Sequence, residues 1–374
     1  MTKNLTVKNT KENLIMKKIK KAFTAAAAMS AIFLTACFPS GTESSKSNYS
    51  EPDIGSTVYD SNLTVEPNIV YPERTAYSNV SFTLKKWDNG IIEKAFCTDK
   101  NIVSTDESPS DIDASRVSEM LRLDDDSTII YEDGYISYFS EECSEYDYSL
   151  LIDCVDSGNY SKYFSADSIN NTDREKSIQT ISDTVKKLGI ENLSKPQIYA
   201  MEASSMNELM NELGLDELTE MKDTEEHTWT EEQNAYAVCW SFEFDELKIN
   251  ENGSQSTMSG KACDGLFVKG VVQNDRLIYL NVSSAPEIKE ISEKNNICTA
   301  EAALQTALDD YKDVVLTNPV EIAQCSLLYT PFAVSEGKEY ILKPYWQITA
   351  AESAEGGKYY NYILIDAVTG EKYY

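Results

Sequence analysis

The stretch "TAEAALQTALDDYKDV" (299–314), with the three segments behind it, "VEIAQCSLLYTPF" (320–332), "EYILKPYWQITA" (339–350) and "KYYNYILIDAVTG" (358–370), decides the fold. Thr299 stands where an N-cap belongs, and Glu301 sits in the first turn, at the positive end of the helix dipole. The segments that follow are rich in β-branched and aromatic residues, and Gly337 and Gly356-Gly357 mark the turns between them. One helix followed by consecutive strands predicts a helix laid on an antiparallel sheet.

The same grammar appears upstream. In "DREKSIQTISDTVKKLGI" (173–190), Ile178, Ile181, Val185 and Leu188 recur at spacings of three or four, and Gly189 can end the helix. "PQIYAMEA" (196–203) reads as a strand and "SSMNELMNELGL" (204–215) as a second helix. "NAYAVCWSFEF" (234–244), "ACDGLFVKGVV" (262–272) and "DRLIYLNVSS" (275–284) read as strands, the last two joined through Gln273-Asn274-Asp275 as a hairpin. Further back, Asp88-Asn89-Gly90 and Glu132-Asp133-Gly134 each predict a hairpin. "DIDASRVSEMLRL" (111–123) predicts a helix, and "DYSLLIDCV" (147–155) a strand. No regular helix–strand alternation suits a crossover-linked parallel sheet. The expected class is α+β, with tandem modules of helices packed on antiparallel sheets. A sandwich over the first 150 residues is the alternative. The regions are 59–170 (β-rich), 171–290 (middle) and 291–374 (C-terminal module).

The last region resembles a PepSY-type module, as in extracytoplasmic regulators of the YycH and YycI kind. The resemblance rests on the helix at 299–314, "LKPYWQI" (342–348) and "LIDAVTGE" (364–371). It implies peptide or protease regulation, or a scaffold role, and supplies no catalytic residue. The D-A-x-T-G-E turn has its own physical reading. Asp366 can accept hydrogen bonds from amides two or three residues on, Thr369 sits inside the turn, and Gly370 can take the positive φ that closes it. Trp346 is expected to fill the space between sheet and helix.

Charge narrows the partners. The chain has 374 residues, 33 basic and 62 acidic, for a net charge of −29. Residues 1–36 hold seven lysines and one acid, so the remainder carries 26 basic and 61 acidic residues, a net of −35. Such a polyanion repels nucleic acid and anionic head groups, so no nucleic-acid partner is expected.

The N-terminus carries the address. From Met16, read as the start of the leader, Lys17, Lys18, Lys20 and Lys21 precede an apolar run from Ala22 to Ala36. That run falls short of the ~20 residues needed to span a bilayer. Charge, short apolar run and small residues in that order make a secretory signal, residues 1–36. Leu34-Thr35-Ala36-Cys37 resembles the bacterial lipobox. The resemblance implies cleavage between Ala36 and Cys37 and diacylglycerol on the Cys37 thiol, a lipid anchor on the extracytoplasmic side of the cell membrane. Residues 37–58 then hold the lipidated cysteine and a Ser-, Gly-, Pro- and charge-rich tether.

Catalytic patterns are few. The single histidine, His227, lies in the acidic "DTEEHTWTEE", which excludes H-E-x-x-H and reads as a solvated side chain. Ser335-Glu336-Gly337-Lys338 matches S-x-x-K, but in a strand turn and without a K-T-G partner. Counting a calcium loop from Asp124 puts Tyr135 where a bidentate glutamate belongs, so Asp124-Asp125-Asp126 reads as a turn. None of the eight cysteines has C-x-x-C spacing. Cys143–Cys154 and Cys239–Cys263 are conceivable disulfides, with buried thiols the preferred reading. No metal and no cofactor is expected.

These observations favour a non-enzymatic, lipid-anchored module that binds a peptide, protein or envelope component. Two alternatives stay open. One is a surface hydrolase cleaving glycans through paired carboxylates, with tyrosines and tryptophans as sugar platforms. The other is a transporter-associated ligand-binding lipoprotein.

Overall fold

The computed structural model describes residues 60–109, 117–145, 148–155, 160–165, 168–213, 228–251, 264–312, 314–335, 339–354 and 357–373. Cys37, the leader, the tether and His227 lie outside the described residues.

The chain begins with β1 (Leu63–Val70), β2 (Ala76–Leu84), α1 (Asn89–Phe96), β3 (Ile102–Pro109), β4 (Val117–Leu123), β5 (Thr128–Glu132) and β6 (Tyr135–Phe139). Two short helices, α2 (Glu141–Glu145) and α3 (Tyr148–Cys154), lead to α4 (Arg174–Lys187), β7 (Gln197–Met201) and α5 (Ala203–Glu212). Then come β8 (Ala235–Ser241), β9 (Glu243–Phe244), β10 (Leu247–Lys248), β11 (Phe267–Gln273), β12 (Arg276–Ser283) and β13 (Pro286–Asn296). The last segment holds α6 (Ala300–Leu308), β14 (Val320–Ser335), β15 (Glu339–Ala354), β16 (Gly357–Asp366) and β17 (Lys372–Tyr373).

The class is mixed α+β. An eight-stranded antiparallel sheet runs β3-β4-β5-β6-β12-β11-β8-β7, and a seven-stranded sheet contains β1-β14-β15-β16-β17 with β2 and β13. The pair β1–β14 is parallel, from Leu63↔Val320 to Val70↔Ser326. Strand pairing crosses both boundaries drawn from the sequence, since β6 pairs with β12 and β2 with β13 and β15.

Several elements follow the sequence pattern. Asp173 caps α4 by accepting from the Lys176 amide at 2.7 Å, and Ile181, Val185 and Leu188 are buried. Hairpins form at Glu132–Tyr135 and Gln273–Arg276. Three expectations are corrected. Asp88-Asn89-Gly90 opens a helix, not a hairpin. Asp88 accepts from the Ile91 amide at 3.0 Å as N-cap, and Ile92, Ala95 and Phe96 bury one helical face. Val117–Leu123 is a strand, not a helix, because β3 and β5 pair with it on both sides and bury Leu121 and Leu123 two residues apart. The run at 147–155 holds a helix, Tyr148–Cys154, and not a strand. Tyr148, Leu151, Ile152 and Val155 are all buried, at i, i+3, i+4 and i+7.

Two cores result. In the larger, α4 crosses the eight-stranded sheet against β8, β11 and β12, while α6 packs on β14, β15 and β16. Residues from both sheets join in that one cluster, among them Val80, Ile129, Trp240, Leu280, Ile348 and Trp346. The second lies on the far face of the eight-stranded sheet and holds Tyr148, Leu151, Met206, Trp229 and Tyr279. Burying each large apolar side chain contributes about 1.5–3 kcal/mol before entropy is counted.

The two sheets meet through three backbone hydrogen bonds. Gly134 N–H donates to Lys85 O (2.7 Å), Lys85 N–H to Ala285 O (2.9 Å) and Ala285 N–H to Gly134 O (2.9 Å). Lys85 follows β2, Ala285 precedes β13, and Gly134 is the tip of the β5–β6 hairpin. Gly134 has φ +80°, and a Cβ there would lie 2.9 Å from Leu84 Cδ2. Gly134→Ala therefore meets both backbone strain and overpacking. It is expected to lower stability by about 1–3 kcal/mol, read as a fall in urea midpoint without change of slope. A midpoint equal to that of the parent chain would refute the junction's importance.

Candidate functional site

The turn after β16 is tightly bonded. Asp366 Oδ1 accepts from the amides of Val368 (2.9 Å) and Thr369 (3.0 Å), Thr369 Oγ1 accepts from Glu371 N–H at 3.2 Å, and Gly370 has φ +73°. Trp346 is 1% exposed, and its Nε1–H donates to Cys298 O at 3.0 Å under the start of α6. These groups shape the module and present no reactive atom.

Two concavities flank the sheets. One, of about 250 Å³, lies at the junction between Gly189, Asn192, Phe242, Phe244, Ala285 and Ile288. The other, of about 490 Å³, is lined by Thr306, Asp309, Asp310, Gly370, Glu371 and Lys372. There Lys372 pairs with Asp310, and Lys312 holds the Asp309 carboxyl below its usual range. Asp124, Asp125 and Asp126 lie in the β4–β5 turn, where Asp124 accepts from the Asn101 amide and Asp125 pairs with Lys100 at 2.7 Å. Among the described residues, no three His, Cys, Asp or Glu side chains are placed to hold a metal ion. No disulfide joins Cys143 to Cys154, and both are buried. Ser335 ends β14, and 336–338 lie outside the described residues, as does Cys263.

The seven-stranded sheet has a second side, turned away from α6, on which Thr349, Ala351 and Tyr345 are nonetheless buried. Strand register defines it. Val70, Ser326, Gln347 and Leu364 form one row across β1, β14, β15 and β16. Asn68, Gln324, Thr349 and Tyr362 form the next, and Thr64, Glu321, Ala351 and Tyr360 a third. Their neighbours Trp346, Ile348, Ile363 and Ile365 point the other way into the core. At one end Phe332, Tyr345 and Tyr373 cluster, with ring centroids 5.0–6.1 Å apart. Burial, then the nearby Asp366 charge, pushes the Tyr345 phenol upward, so it stays protonated. At the other end Lys358 pairs with Glu321 at 3.2 Å. The two middle rows carry no charged side chain. Gln347 Oε1 is buried and has no hydrogen-bond partner among the described residues.

Sequence reading did not single out these rows. Their signal is the period-2 alternation in "EYILKPYWQITA" and "KYYNYILID", which places Gln347 with Thr349 and Tyr360 with Tyr362. Which strands lie beside one another is absent from that signal.

No family model matches the chain, and neither does any curated protein. Among solved structures, an uncharacterized protein from Eubacterium rectale ATCC 33656 matches with a TM-score of 0.64 at 15% identity, over 85% of this chain and 92% of that one. It shares the fold. The Bacillus megaterium YpeB C-terminal domain matches with a TM-score of 0.30 at 9% identity, over 77% of this chain and 96% of that one.

A charge cluster ties the fold beside the junction. Arg74 pairs with Asp245 and, at 3.0 Å, with Glu246, while Lys294 reaches Asp245 at 3.2 Å. Burial raises the Asp245 carboxyl, but hydrogen bonds from Arg74 and Lys294 outweigh it and hold the group below the usual carboxylate range. A depressed carboxylate contributes stability above its unfolded pKa of about 3.9, and that stability is lost as pH falls through the lower folded value. The advantage of the parent chain over Asp245→Asn is therefore expected to be constant near neutrality and to shrink below about pH 4 in urea titrations. An advantage that grows on acidification would contradict this arrangement.

Proposed function

We propose that this chain is a lipid-anchored extracytoplasmic binding module. The membrane partner is reached through diacylglyceryl-Cys37, and the folded part binds a peptide, protein or envelope component. The observation that carries the reading is Leu34-Thr35-Ala36-Cys37 at the end of a lysine-led apolar run.

The anchor rests on the leader: four lysines, an apolar run and Leu34-Thr35-Ala36-Cys37. No helix among the described residues is long and apolar enough to cross a membrane. The final helix, strands and D-A-x-T-G-E turn support a PepSY-type module in this role, with Asp366, Thr369 and Gly370 as its structural turn.

Expression with its own leader in a bacterial host tests the anchor. The parent chain should partition into detergent and incorporate labelled palmitate. Cys37→Ser should do neither, and should be released or retain its leader. Normal processing with unchanged membrane retention of Cys37→Ser would overturn the lipoprotein reading.

A further inference from the structure

We propose that the cavity at the junction of the two sheets binds a free, apolar α-amino acid as its zwitterion. Such a site goes beyond the anchored module and does not depend on the anchor.

The frame of the cavity is bonded backbone. The last turn of α4 closes with Gly189 N–H donating to Lys186 O (2.9 Å) and Ile190 N–H to Val185 O (3.2 Å), with Gly189 at φ +64°. Glu243 N–H ties β9 to Asn192 O at 2.7 Å, and Lys85 N–H ties the end of β2 to Ala285 O at 2.9 Å. Between these segments lies a space of about 250 Å³. Ile190, Phe242 and Ile249 form its recessed apolar wall, while Glu191 and Asn192 at the rim are exposed. At ~30 Å³ per water the space equals about eight waters, which suits an amino acid of about nine non-hydrogen atoms and is too small for a peptide.

Charge names the rest of the ligand. Lys85, Glu191 and Glu243 all line this space, yet none of the three has an ion pair or a side-chain hydrogen bond among the described residues. The fourth charged group of the lining, Glu287, is taken by Lys289 at 2.9 Å. The Lys85 ammonium rests over the Trp87 ring, 5.6 Å from its centroid, which seats it without neutralising it. A cation and two carboxylates therefore share one apolar-walled cavity without pairing. Charges attract more strongly beside apolar walls than in water, so a molecule carrying both signs gains at both ends. A free α-amino acid does so around a single carbon. Its carboxylate suits Lys85, its ammonium suits Glu243 and Glu191, and its side chain suits the wall. A peptide end offers only one of the two charges at its terminal α-carbon. A lone cation or anion leaves one sign unmatched and the wall bare.

Isothermal titration calorimetry of the full chain in detergent is the test, with L-leucine, L-isoleucine, L-methionine and L-phenylalanine as probes. At least one should bind with a Kd below about 1 mM. The N-acetyl and amide forms of that amino acid each lack one charge and should bind at least about tenfold more weakly. Lys85→Gln should weaken binding about tenfold and should bind the amide as well as the free acid, because the carboxylate has lost its partner. Glu243→Gln should also weaken binding about tenfold. Lys358→Gln, whose partner Glu321 lies in the C-terminal sheet, should change nothing. Circular dichroism on every variant reports folding separately. No binding of any of the four amino acids at about 10 mM overturns the proposal. So does equal affinity for the N-acetyl or amide form in the parent chain, or parental affinity in both Lys85→Gln and Glu243→Gln. Each of these results leaves the lipoprotein reading to its own Cys37→Ser test.

Discussion

Three backbone hydrogen bonds among Lys85, Gly134 and Ala285 join the two sheets, and much of the architecture follows from them. At Lys85 the chain leaves β2 of the seven-stranded sheet for α1 and the eight-stranded sheet. At Ala285 it returns into β13. The hairpin tip at Gly134 is pinned between these crossings, and only a residue that tolerates φ +80° against Leu84 fits there. Because the crossings are fixed, the inner faces of both sheets share one apolar cluster. The Arg74–Asp245–Lys294 cluster adds a smaller, pH-dependent contribution nearby.

The seven-stranded sheet is built around one hairpin. β14 and β15 are each 16 residues long, and they pair from Val320↔Glu352 to Ser335↔Glu339. On its other side β15 divides its partners, taking β2 at Tyr340–Leu342 and β16 at Tyr345–Ala354. A helix covers only one side of this sheet among the described residues. The alternation along each strand therefore sends Trp346 and Ile348 into the core against α6 and Gln347 and Thr349 to the opposite side of the sheet. Core packing and the composition of the sheet's other side are two consequences of one register. A slip by one residue would exchange them.

Much of the local structure was legible. The spacing in 173–190, the cap at Thr299 and the turn signals at 132–134 and 273–275 each rest on short-range chemistry that holds wherever the segment sits. Readings failed where a segment satisfied two periods, or where neighbours chose between them. Val117, Met120 and Leu121 fit a helix until strands on both sides bury Leu121 and Leu123. Asp88-Asn89-Gly90 fits a turn until the apolar residues after it reward an N-cap. β13 was invisible, since "PEIKEISEKNN" has only two isoleucines and is held as a strand by β2. The rows on the sheet's other side join residues as distant as Asn68, Gln324 and Tyr362, which no local pattern links.

By itself the sequence determined the strong acidity, the α+β class and the bonded turn at Asp366. Each depends on residue type and short spacing. Only the tertiary structure decided that β1 and β2 join the C-terminal strands, that 102–139 and 197–283 share one sheet, and that an uncharged face lies opposite α6. Those outcomes depend on long-range pairing. There the free energy comes from burying surfaces that are far apart in the chain, and local pattern carries no record of which surface meets which.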